Sequence, residues 1–63
     1  MTSKMERREH ILVLLEQRLE ERPELPIGLA IAQLAYAGAG HTELGLISDK
    51  EFLAGLEHGY KPL

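Results

Sequence analysis

Apolar residues fall into three blocks along the chain, separated by proline or glycine. The first sits inside a charged segment, "HILVLLEQRL", and puts Ile11, Leu12, Val13, Leu14 and Leu15 in a row. Good helix formers surround it, and the turn residues that would bracket a strand are missing on both sides. Ser3-Lys4-Met5-Glu6 has the spacing of a capping box, in which the Ser3 hydroxyl accepts from the Glu6 amide and the Glu6 carboxylate from the Ser3 amide. Pro23 ends the element, because a residue before proline is pushed out of the α region. The pattern predicts a helix over 4–21. At about 100° per residue, Met5, Leu12, Leu15 and Leu19 share one stripe with Ile11 on its flank, and this is the expected core face. Val13 and Leu14 fall outside it, Leu14 nearly opposite, so the helix is apolar on two sides.

Pro23-Glu24-Leu25-Pro26 forms a stiff connector. Pro26 suits the first position of a new helix, where a missing N–H costs nothing, and Glu24 brings a carboxylate near the positive helix end. The second helix is expected over 26–37, with Gly38 as its left-handed cap. Ile27, Ala30, Ile31 and Leu34 line one face, while Leu29, Ala32 and Tyr36 cover the other. A helix apolar all round is a buried one, yet nothing else in so short a chain is large enough to bury it fully. The next segment reads as a loop through Leu46, with Leu44 and Leu46 tucked back as plugs. Ser48-Asp49-Lys50-Glu51 is a second capping box, and Ile47 paired with Phe52 has the spacing of a hydrophobic staple. The third helix is expected over 49–58, with Phe52, Leu53 and Leu56 inward and Gly59 as its stop. Gly55 weakens this helix by ~1 kcal/mol relative to alanine, which points to the close approach of another backbone.

These elements predict an all-α, compact three-helix domain spanning 1–63. At 63 residues and without a cysteine, such a domain lies near the lower limit of what folds without a staple. Apolar burial and the cost of ordering the chain nearly cancel at this size, so burial against a second copy would weigh heavily and self-association is expected. The net charge of −3 argues against nucleic acid, which is bound through a basic stripe that displaces counterions. The one basic cluster, Lys4, Arg7 and Arg8, is interleaved with Glu6 and Glu9. A DNA-binding helix-turn-helix joins its helices by a short turn, whereas Gly38 to Ile47 is far longer, and "DKEFLAGLEH" offers acids where a reading helix needs donors. No apolar run approaches the ~20 residues that span a bilayer, and no long apolar signal core follows Met1. A cytoplasmic protein with no membrane contact is expected.

Reactive constellations are missing. His10, His41 and His58 lie on three different elements without the spacing of metal ligands. Ser3 and Ser48 are capping residues, Thr42 is in a loop, and no cysteine is present to act as a nucleophile. Glu16, Glu20, Glu21 and Glu24 read as a solvated acidic face. Gly38-Ala39-Gly40 follows a helix, whereas phosphate loops place their glycines before one. Neither catalysis nor a cofactor or metal is expected.

The middle of the chain, "RPELPIGLAIAQLAY" followed by "LISDKEFLAGLE", resembles a family of small bacterial and phage helical proteins with the approximate pattern P-D-L-R-L-G-Q-L-I-x-N and a later acidic-capped helix. Pro23, Leu25, Gly28 and Ile31 match the pattern, Glu24, Ile27 and Gln33 are near equivalents, and Asp49 and Glu51 match the cap. Pro26 stands where the pattern has arginine and Leu29 where it has glutamine. The resemblance covers about two-thirds of the chain. It implies the helical layout and a mobile-element origin, and it brings no assigned activity.

The sequence therefore reads as a non-enzymatic interaction module, a helical homodimer that buries Val13, Leu14, Leu29 and Tyr36 across a shared face. The alternative is a small phage- or mobile-element-type regulator that docks on a larger host enzyme. DNA binding ranks below both.

Overall fold

A computed structural model describes residues Lys4 to Leu63. The Ser3 capping box lies outside the described residues. Three α-helices, α1 (Lys4–Glu21), α2 (Ile27–Ala39) and α3 (Asp49–His58), are joined by a proline turn and by a loop that contains one short 3₁₀ turn, Leu44–Leu46. No strand occurs among the described residues. The domain is an all-α three-helix globule with a Cα radius of gyration of 11.1 Å.

In space α3 is the central helix. Both α1 and α2 pack on it, α2 the more extensively, while the backbones of α1 and α2 scarcely approach one another. The α1 helix runs in the same direction as α3, with Arg8 beside Asp49 and Arg18 beside Leu56. The α2 helix runs opposite, with Leu34 near Gly55 and Gly38 near Glu51. This last pair of contacts is a backbone-to-backbone crossing. A Cβ added at Gly38 would lie 2.0 Å from the Glu51 carbonyl oxygen, and one added at Gly55 would lie 2.0 Å from that of Leu34. Only hydrogen fits at either position, and the close approach buries Ala30 and Ala35 beside it.

The core is small. Ile11 of α1, Leu34 of α2 and Leu56 of α3 form its centre, and Leu14, Leu15, Phe52, Leu53 and Tyr60 pack around them. Burying each such side chain contributes roughly 1.5–3 kcal/mol, so these few groups account for much of what holds the helices together.

Local signals explain most of the boundaries. Ser48 caps α3 as expected: its hydroxyl accepts from the Glu51 amide at 3.1 Å, and the Glu51 carboxylate accepts from the Ser48 amide at 3.1 Å. Gly59 closes the same helix, its amide donating to Gly55. The α2 helix begins one residue later than expected, with Pro26 as its N-cap, and runs two residues further to Ala39. Its cap is Gly40 at φ 80°, not Gly38. Gly38 sits inside the helix because α3 needs that space.

Three expectations about burial change. The inward stripe of α1 is Ile11, Leu14 and Leu15 with Arg18, not Met5, Leu12, Leu15 and Leu19; Met5 and Leu12 are exposed. Both stripes have helical spacing, and Arg18 on the inward one is satisfied by the end of α3. The α2 helix is not buried on all sides, since it rests mainly on α3 and leaves Leu29 exposed. Leu44 and Leu46 face outward instead of plugging the core, while Ile47 is the half-buried residue of that loop.

Candidate interaction surface

Two features stand out once the helices are in place: a polar clasp that holds α1 to the end of α3, and an apolar face that α1 turns away from the domain.

The clasp centres on Arg18, which falls on the inward stripe seven residues after Ile11. Its Nε donates to the Leu56 carbonyl at 2.7 Å and its Nη2 to the Glu57 carbonyl at 3.2 Å. These carbonyls belong to the last turn of α3, where the helix lacks internal donors and carries a partial negative charge. Nη1 donates to both oxygens of Glu21, at 3.0 and 3.1 Å. The Tyr60 hydroxyl donates back to the Arg18 carbonyl, and Arg22 lies over the Tyr60 ring with its guanidinium carbon 5.7 Å from the centroid. Desolvation pushes the Tyr60 phenol above its ordinary value, reinforced by the charge of Glu21. Arg22 also donates to Glu24 at 2.6 Å, a hydrogen bond that lowers the Glu24 carboxyl below its usual range. Sequence periodicity overlooked the clasp. Its one visible sign was a charged residue, Arg18, standing between Leu14, Leu15 and Leu19 on a helix face.

On the outer face of α1, Met5 is 71% exposed, Leu12 64% and Val13 53%. Leu12, Leu15 and Leu19, with Pro23 at one end, wall an open groove along the second half of the helix, and Glu16 and Glu20 stand at its side. This stripe carries the seven-residue spacing of Met5, Leu12 and Leu19. Ile27 and Leu29 are exposed at the start of α2, and Leu44 and Leu46 in the loop before α3.

The four residues expected at an interface divide evenly. Val13 and Leu29 are on the surface. Leu14 packs inward against the core, which corrects its assignment to the opposite side. Tyr36 is half-buried, with the Lys61 ammonium 5.3 Å from its ring centroid. The structure therefore does not gather these four residues on one face. Met5 and Leu12, read as core, are the more prominent apolar groups.

Other candidate chemistry stays dispersed. His41 accepts from the Glu43 amide at 3.2 Å, while the His58 ring lies 3.1 Å from the Gly59 carbonyl. Among the described residues, no group of three histidine, cysteine or carboxylate side chains could hold a metal ion, and no helix is long and apolar enough to cross a membrane. No protein-family model, curated protein or solved structure matches the chain.

Proposed function

We propose that this chain is a non-enzymatic protein–protein interaction module that works as a helical homodimer. The observation that supports the reading is an imbalance of apolar side chains. The core centres on Ile11, Leu34 and Leu56, whereas Met5, Leu12, Val13, Ile27, Leu29, Leu44, Leu46 and Leu63 are all substantially exposed. Scattered exposed apolar residues are ordinary, but on α1 they line up along one helix face and border a groove, the arrangement that marks a contact surface. The interface in this reading keeps Val13 and adds Met5 and Leu12. Leu29 belongs to a second exposed apolar site. The same proposal puts the chain in the cytoplasm, which its cysteine-free sequence supports.

Sedimentation equilibrium at micromolar concentration tests the reading. A mass of two chains is expected for the unmodified protein and one chain for Leu12→Glu, with the helical circular dichroism unchanged. A monomer of ordinary stability overturns the homodimer.

A second reading, a small regulator docked on a larger host enzyme, is favoured by the acidic edge that Glu16 and Glu20 give the same groove. It predicts a monomeric chain that co-purifies with one foreign protein in equal amounts, and Leu12→Glu should abolish that recovery.

A further inference from the structure

We infer that the outer stripe of α1 pairs with the same stripe of a second copy, with the two helices parallel and in register. The inference rests on the homodimer reading and adds which face meets and in which direction. Met5, Leu12 and Leu19 recur every seven residues and Leu15 falls between the last two, the spacing that keeps an apolar seam turned toward a partner helix. Met5 and Leu12 are exposed, and Leu12, Leu15 and Leu19 border the open groove. The inward stripe centred on Ile11 is already occupied by α3 and the core, so the outer seam is the face of α1 left for a second helix.

The charges beside the seam set the direction. At about 100° per residue, Lys4, Arg8 and Arg22 lie along one flank of the seam, and Glu9, Glu16 and Glu20 lie along the other. Two parallel helices related by an axis along their length bring each flank against the opposite flank of the copy. Lys4 and Arg8 then stand beside the copy's Glu9, and Arg22 stands near the copy's Glu20. Antiparallel helices bring like flanks together and set Glu9 against the copy's Glu16. Parallel pairing is thus attractive on both sides of the seam, and antiparallel pairing repulsive on the acidic side. Arg8 is already placed 3.8 Å from Asp49 of its own chain, but its side chain is 73% exposed and can reach outward. Arg22 is held by Glu24 at 2.6 Å, so Lys4 and Arg8 carry most of the complementarity.

The absence of cysteine makes single-cysteine probes unambiguous. Met5→Cys and Leu12→Cys are each oxidised mildly at micromolar concentration, beside sedimentation of the unmodified chain. Parallel pairing predicts that both variants form disulfide-linked dimers with themselves. Antiparallel pairing predicts self-linking for Leu12→Cys only, and a mixed dimer when Met5→Cys is combined with Leu19→Cys; this result overturns the inference. A dimer by sedimentation in which neither probe links overturns the face while leaving self-association intact, and a monomer overturns both. Charge reversal gives an independent readout. Glu9→Lys should weaken the parallel dimer by roughly fivefold, the scale of losing an exposed ion pair on each side of the seam, and mixing it with Lys4→Glu should restore pairing. Strengthening by Glu9→Lys alone is the antiparallel result and sinks the proposal.

Discussion

Arg18 shows how much of this small domain rests on single side chains. Its guanidinium takes the last-turn carbonyls of α3 and leaves no buried side-chain polar atom without a partner among the described residues. Arg18→Met keeps the aliphatic stem and removes the donors, and should cost about 1–3 kcal/mol, the range for hydrogen bonds to a charged group. At about 4–8 °C per kcal/mol for a domain of this size, a thermal melt resolves the loss easily. Tyr60→Phe should cost about 1 kcal/mol, and a double-mutant cycle should find the two changes coupled, because each side chain orders the segment that the other holds. Glu51 gives a pH signature. The Ser48 amide, and after it the Ser48 hydroxyl, hold its carboxyl below the usual glutamate range. That stabilisation is complete above the ordinary glutamate value and is lost as pH falls through the lowered one. Melting temperatures followed into acid should therefore fall less steeply for Glu51→Gln than for the unmodified chain.

At the scale of elements, the crossing of α2 and α3 depends on two glycines. Alanine is the better helix former by ~1 kcal/mol, so Gly→Ala stabilises an exposed helix position and destabilises a crowded one. Gly28, with nothing within 4 Å of an added Cβ, should gain up to ~1 kcal/mol as alanine. Gly38→Ala and Gly55→Ala force a methyl into a carbonyl 2.0 Å away and should abolish cooperative unfolding or lower the denaturation midpoint severely. Chemical denaturation of the three variants side by side checks the contrast. The helices themselves were legible in the sequence because their signals are local: Ser48 with Glu51 fixed the start of α3, Pro23 the end of α1, and Gly55 hinted at a close neighbour. Which face of α1 turns inward was not legible. Met5, Leu12 and Leu19 repeat as regularly as Ile11, Leu14 and Leu15, and the choice between them is made by α3, whose carbonyls accept Arg18. Gly38 misled for a related reason, since a glycine near a helix end looks like a cap until the neighbouring helix is in place. Of the four expected interface residues, Val13 and Leu29 were placed on the surface correctly, while Leu14 followed the inward stripe and Tyr36 was drawn half under cover beside Lys61.

For the whole molecule, the proposed pairing makes stability a function of protein concentration, because a copy that binds only the folded chain stabilises it by mass action. The melting temperature should rise as the protein is concentrated, and Leu12→Glu should remove that rise. A calorimetric series over a hundredfold range of concentration, on the order that makes such shifts visible, measures both; a melting point independent of concentration in the unmodified chain argues for a monomer.

The α1 helix meets the rest of the fold almost wholly through α3, and a short proline turn is its link to α2. Such an arm can lift away while the glycine crossing behind it stays closed, an opening smaller than global unfolding. In deuterated water its amides should then take up label earlier than those of α2 and α3, and the delay between the two waves would time how often the arm leaves its seat.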